Sequence, residues 1–177
     1  MESSWIRLIM KLEPAKEEHI NAIFELVNLA YRGDSGWTKE TELITGARTT
    51  VREVQSYLSD PNAHLLIATE KDEILACICV EIKANSAYIG FFSVHPKVQG
   101  KGLGKDILSQ AERYAYDRFK VTKYIMLVVS QRIELIAYYE RRGYRRTGHI
   151  QAYPEHLKVG KPLQADLTIE YLEKRVL

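Results

Sequence analysis

The stretch Val94-His95-Pro96-Lys97-Val98-Gln99-Gly100-Lys101-Gly102-Leu103-Gly104-Lys105 decides how the rest of the chain is read. Its three glycines stand at alternate positions, where the backbone can take torsions that a Cβ forbids and can come close to a ligand. The apolar positions that follow, Leu103, Ile107, Leu108, Ala111 and Ala115, form one stripe of a helix reaching about Phe119. The glycines therefore open a helix, and unpaired N–H groups point with the positive dipole end at one spot. Lys101 and Lys105 add charge there. The combination is a site for phosphate or pyrophosphate, and it exceeds what a plain strand-to-helix turn requires.

Two familiar phosphate loops do not fit. The Walker pattern needs four residues between its first Gly and the Gly-Lys pair, followed by Ser or Thr; here Gly100 to Gly104 leaves three and Asp106 follows. The dinucleotide fingerprint G-x-G-x-x-G fails because the third glycine, Gly104, comes one residue early.

Upstream, three strands read in sequence as a meander: His64 to Thr69, Ile74 to Lys83, and Tyr88 to Val94. Before them, Ile20, Ile23, Phe24 and Val27 space an amphipathic helix to about Tyr31, and Val51, Val54 and Leu58 a shorter one stopped by Asp60-Pro61. The alternation around Ile6, Leu8 and Met10 predicts an opening strand ending at Glu13-Pro14. Downstream, the continuous run Tyr124 to Val129 reads as a central strand covered on both faces. A helix carrying Ile133, Ile136 and Ala137 is ended by Gly143, and two last strands lie near Tyr144 to His149 and Ala165 to Tyr171.

The 177 residues, 46% hydrophobic and 27% charged, fit one soluble globular domain with a single core. A formal charge of only +2 gives no one-signed field, so nucleic acid is not an expected partner. No apolar run is long enough for a bilayer, and Trp5 to Leu12 is too short and charged for a signal sequence. Cys77 and Cys79, two apart in an apolar run, read as buried thiols, which suits a reducing cytoplasm.

Gln99-Gly100-Lys101-Gly102-Leu103-Gly104 resembles the cofactor motif of the GNAT superfamily of acetyl-CoA-dependent N-acetyltransferases at every defined position, and Ser93-Val94-His95-Pro96 looks like the strand end before it. Ala137-Tyr138-Tyr139-Glu140-Arg141-Arg142-Gly143-Tyr144 is similar to the family's A-x-Y-E-x-x-G-F signature. The order of strands and helices matches from Ile6 to Tyr171. The resemblance implies an α/β (α+β) fold, a mixed and mostly antiparallel sheet of about seven strands with flanking helices. The fourth and fifth strands splay apart to admit acetyl-CoA as cosubstrate. It further implies that Phe92, Ser93 and Val94 meet the pantetheine, that Gln99, Gly100, Lys101, Gly102, Leu103, Gly104 and Lys105 hold the pyrophosphate, and that Tyr139 is the general acid. Members of the family often pair, so a homodimer belongs to the same set of expectations.

An amine acceptor would sit among Tyr31, Trp37, Thr38 and Arg48 on one side and Tyr153 and Pro154 on the other; Trp37 reads equally well as an anchor for its loop. No general base stands out. Glu81 is a candidate whose alternative is an ordinary strand-end carboxylate. The chain departs from the family at Arg132, where relatives carry Asn; Arg132 fits either a phosphate or acidic substrate group or a helix-start surface position. Two other readings stay open: a catalytically idle acyl-CoA-binding or sensor module, and a covalent route through Cys77 or Cys79.

Overall fold

The apolar runs pair into one seven-stranded sheet in the computed structural model, which describes residues 10–33, 36, 40–154 and 160–177. In chain order the elements are β1 (Glu13–Pro14), α1 (Ile20–Arg32), β2 (Ile44–Thr45), α2 (Val51–Ser59), β3 (Ala63–Glu70), β4 (Glu73–Lys83) and β5 (Ser86–Val94). There follow α3 (Leu103–Phe119), β6 (Lys123–Val129), α4 (Ile133–Glu140), β7 (Arg145–Ala152), β8 (Lys161–Pro162) and β9 (Thr168–Arg175). The sheet runs β1-β3-β4-β5-β6-β9-β7, and only the β5–β6 pairing is parallel. This is the mixed, mostly antiparallel α/β architecture expected. The opening strand predicted around Ile6 lies largely outside the described residues; β1 pairs with β3 at Ile67 and Leu66.

Local chemistry sets the helix bounds. Thr50 caps α2 by accepting from the Glu53 amide at 3.1 Å, while α4 gives way to a turn in which Gly143 takes φ 97. The amphipathic helices then divide the core. Ile23, Leu26 and Val27 of α1 cover one face, against Leu65, Ile67, Cys77, Cys79 and Phe91. Ile107, Leu108, Ala111 and Ala115 of α3 cover the other, with Ile136 and Tyr139 of α4. Tyr144, just past α4, donates to Glu112 of α3 at 3.0 Å, and Lys174 of β9 reaches the same carboxylate at 2.7 Å, so the end of α4 is held between helix and sheet.

Two sequence expectations need adjustment. The β6 strand is interior to the sheet and buried on both faces as expected, except that Leu127, between the buried Ile125 and Val129, is 42% exposed. The last two strands lie later than the apolar pattern indicates, since β9 takes its register from β6 and β7 from β9 rather than from local hydrophobicity. The short β2–β8 ladder was not foreseen; it ties the loop after α1 to the loop after β7.

Candidate active site

The parallel ladder between β5 and β6 stops early. Ser86, Ala87 and Tyr88 pair with Lys123, Tyr124 and Ile125, yet β5 continues to Val94 and β6 to Val129 without further pairing to each other. A bulge in β5 accompanies the split: Cys77 faces Ser93 and Cys79 faces Gly90, so Ile78 alone stands opposite Phe91 and Phe92. Phe91 takes φ 48, a left-handed conformation that only surrounding packing can hold in a residue of this size. Two carbonyls beyond the split are met by side chains instead of strands. The Tyr31 hydroxyl donates to Phe92 O at 3.2 Å, and Gln99 Nε2 donates to Val94 O at 2.8 Å.

The glycine turn lies directly after this strand. Gly100 and Gly102 have φ 80 and 78, and a Cβ built on Gly100 would meet nothing within 4 Å. Gly104 is already helical; a Cβ there would stand 3.0 Å from the Tyr138 hydroxyl, so this glycine makes room for a side chain of α4. Strand end, turn and α4 enclose a cleft of about 420 Å³, bordered among others by Phe92, Gln99, Gly102, Lys105, Tyr139 and Arg142. Lys105, Arg141 and Arg142 border the cleft together with Glu134, its one carboxylate among the described residues, which gives the cleft a net positive lining. The start of the 17-residue α3 adds its dipole.

Tyr139 is 5% exposed and sits 6.5 Å, ring centroid to centroid, from Phe92. Burial, then the neighbouring phenols of Tyr31 and Tyr138, push its hydroxyl well above the ordinary value, with Arg132 and Arg142 pulling the other way. It therefore stays protonated. Cys77 and Cys79 are free and buried, and burial pushes each thiol up to about 12; Cys77 donates to Phe91 O at 3.4 Å. Neither is poised as a thiolate nucleophile.

Of the other residues singled out by sequence, Val94, Gly100 and Gly104 border the cleft, whereas Ser93 is buried behind it opposite Cys77, Leu103 packs in the core and Lys101 is exposed. Glu81 lies near the closed end of the split, opposite Tyr88, where it pairs with Lys83 at 3.3 Å. Tyr153 is buried near Ile44 and Val129 on the α1 side of the sheet. Trp37 and Thr38 lie outside the described residues. Sequence reasoning missed Glu40, a buried acid with no motif around it, and the role of Arg142. The Arg142 guanidinium lies 3.9 Å over the Tyr138 ring and turns into the cleft rather than to solvent. The four-residue spacing of that pair on one helical face was the available signal.

The sequence model described as Acetyltransferase (GNAT) family matches residues 20–144. No curated protein shows a significant sequence match. Among solved structures, an IAA acetyltransferase from Bacillus cereus superposes with TM-score 0.69 at 17% identity, over 94% of this chain and 99% of that one. A ribosomal-protein-alanine N-acetyltransferase from Brucella melitensis does so with TM-score 0.68 at 16% identity, over 94% and 99%. A spermidine N-acetyltransferase from Vibrio cholerae, in complex with CoA and spermine, gives 0.69 at 15%, over 94% and 95%. These likenesses show a shared fold, and the sequence match from α1 through Tyr144 takes in the split strand, the glycine turn and α4 together. The chain belongs to the GNAT acetyltransferase family.

Proposed function

We propose that the protein is an N-acetyltransferase that moves the acetyl group of acetyl-CoA to an amine by direct attack within a ternary complex. The observation that carries this reading is the coincidence, in one cleft, of an interrupted strand pairing, an open glycine turn at a helix start and a protonated, buried tyrosine. The residues present fit the cosubstrate: Gly100, Gly102 and the first amides of α3 would hold the diphosphate with Lys105. The apolar walls given by Phe92, Val94 and Leu135 would take the pantetheine.

In the reaction the amine nitrogen attacks the thioester carbonyl, the C–N bond forms and the C–S bond breaks. Tyr139 gives its proton to the departing sulfur, and the surplus proton on nitrogen leaves to solvent, from which the phenol is refilled. The burial that raises the phenol above its ordinary value also disfavours a thiolate beside it, so donor and acceptor of the proton stay matched. Holding both reactants together supplies much of the remaining rate. The buried free thiols suit a reducing compartment and so support a cytoplasmic location as part of this reading.

The test is acetyl-CoA turnover with a mixed panel of amines, read as free thiol with mass detection of the acetylated product. Product formation with at least one amine supports the reading. Acetyl-CoA binding with no transfer to any of them would instead leave a sensor module.

A further inference from the structure

The three cations that border the cleft, Lys105, Arg141 and Arg142, form no ion pair among the described residues, although Glu134 shares the same lining. Glu140, beside the two arginines in sequence, is taken up by Arg146 at 3.6 Å. Lys105 and Arg141 are exposed at the rim, and Arg142 is half-buried. Its guanidinium lies 3.9 Å from the Tyr138 ring centroid, and its Nη1 donates to Tyr138 O at 3.3 Å. Its Nε is buried with no hydrogen-bond partner.

The ring under this guanidinium ties it to the glycine turn. A Cβ on Gly104 would stand 3.0 Å from the Tyr138 hydroxyl, so the phenol lies against the start of α3 while Arg142 stacks on the same ring. Burial raises the Tyr138 phenol and Arg142 pulls it back, with Asp106 in the first turn of α3 adding to the rise. Gly104, Tyr138 and Arg142 all border the one cleft. Stacking fixes the plane of a guanidinium and leaves its edge to donate. An unpaired buried donor beside a cavity with a net positive lining is short of an anion. The diphosphate seat at Gly100, Gly102 and Lys105 does not call on Arg142, which is left for a different group.

We propose that Arg142, with Arg141 adding charge beside it, binds a second anionic group of the cosubstrate, the phosphate on its ribose 3′-oxygen. In acetyl-CoA the diphosphate is carried on the 5′-oxygen of the same ribose. With the diphosphate on the glycine turn, the 3′-phosphate therefore falls a few bonds away, at the end remote from the pantetheine. It is a phosphomonoester with a charge of about −1.5 to −2 at pH 7 and three acceptor oxygens, which a guanidinium meets with two parallel donors. The inference rests on the reading of the cleft as a seat for acetyl-CoA and names the residue that tells the full cosubstrate from a shortened one.

The experiment titrates acetyl-CoA and acetyl-3′-dephospho-CoA in a calorimeter into the wild-type protein, Arg142→Met and Arg142→Lys. The wild-type protein should bind acetyl-CoA about tenfold or more tightly than the dephospho form. Arg142→Met, which keeps an aliphatic stem over Tyr138, should close that gap by weakening acetyl-CoA alone. Arg142→Lys keeps the charge without the parallel donors and should narrow the gap. Equal affinity of the wild-type protein for the two ligands, or a gap that neither substitution narrows, overturns the proposal. So does an equal loss of both ligands in Arg142→Met, which would put Arg142 on the diphosphate instead. Failure of the wild-type protein to bind either ligand would overturn the proposed function rather than this inference.

Discussion

The two sides of the split sheet are built on different principles. On the α3 side the cleft is shaped by the main chain: a bulge at Phe91, left-handed torsions at Gly100 and Gly102, and the open amides at the start of a long helix. On the α1 side the Tyr31 hydroxyl reaches the split, and the surrounding structure is held by buried side-chain charge, with Arg32 and Arg132 on Glu40 and Arg48 over the Tyr31 ring. Main-chain recognition suits a ligand common to many enzymes, because amides and a dipole bind phosphate whatever the surrounding side chains are. Buried side-chain charge instead holds its side of the sheet through pairs particular to this chain. The difference teaches that changes on one side should separate cleanly from changes on the other.

The largest separation is expected at Tyr139. Tyr139→Phe should lower kcat by about 10²–10⁴-fold while the Kd for acetyl-CoA stays within about twofold, measured by steady-state kinetics and calorimetry. Unchanged turnover would remove the tyrosine from the chemistry. Next comes Glu40→Ala, which removes the carboxylate shared by two buried guanidiniums and should cost about 3–5 kcal/mol, a fall in Tm on the order of 10 °C. It should raise acceptor KM in the surviving fold and leave acetyl-CoA affinity alone; a parallel loss of acetyl-CoA binding would break the division between the sides.

Gly102→Val tests the opposite side. A β-branched residue at φ 78 costs about 1–2 kcal/mol, so acetyl-CoA should bind about tenfold more weakly while acceptor KM is little changed. The mildest effect concerns alkaline stability. Burial pushes Tyr57 on the α1 side and Tyr124 on the α3 side each up to about 12 from an ordinary 10. Above about pH 10 the unfolded chain sheds phenolic protons that the fold retains, so stability should be level below that pH and fall as pH rises toward 12. Tyr57→Phe and Tyr124→Phe should each soften the fall in a Tm-against-pH series, and the steeper remaining slope tells which side holds its protons more tightly.

The same division explains what the sequence disclosed. The α3 side was legible because its requirements are local: glycines where torsions are left-handed, an apolar stripe after them, and Tyr139 at a fixed distance from Gly143. The α1 side was not, because Glu40 and Arg132 meet although ninety-two positions apart in the chain, and neither sits in a recognisable pattern. Arg132 showed only as a departure from its relatives, and Arg48 only as a residue of the acceptor loop. The β6 strand was legible apart from one residue: its continuous apolar run marks an interior strand, but no local pattern tells that Leu127 alone is left 42% exposed.

The central claim, that the split between β5 and β6 is a seat for acetyl-CoA, is tested most directly by titrating the protein with acetyl-CoA in a calorimeter alongside Gly102→Val. One site per chain, with a Kd between about 1 μM and 1 mM that weakens about tenfold in the variant, is the predicted result. No heat from the folded wild-type protein at millimolar ligand, or equal affinity in the variant, would contradict it.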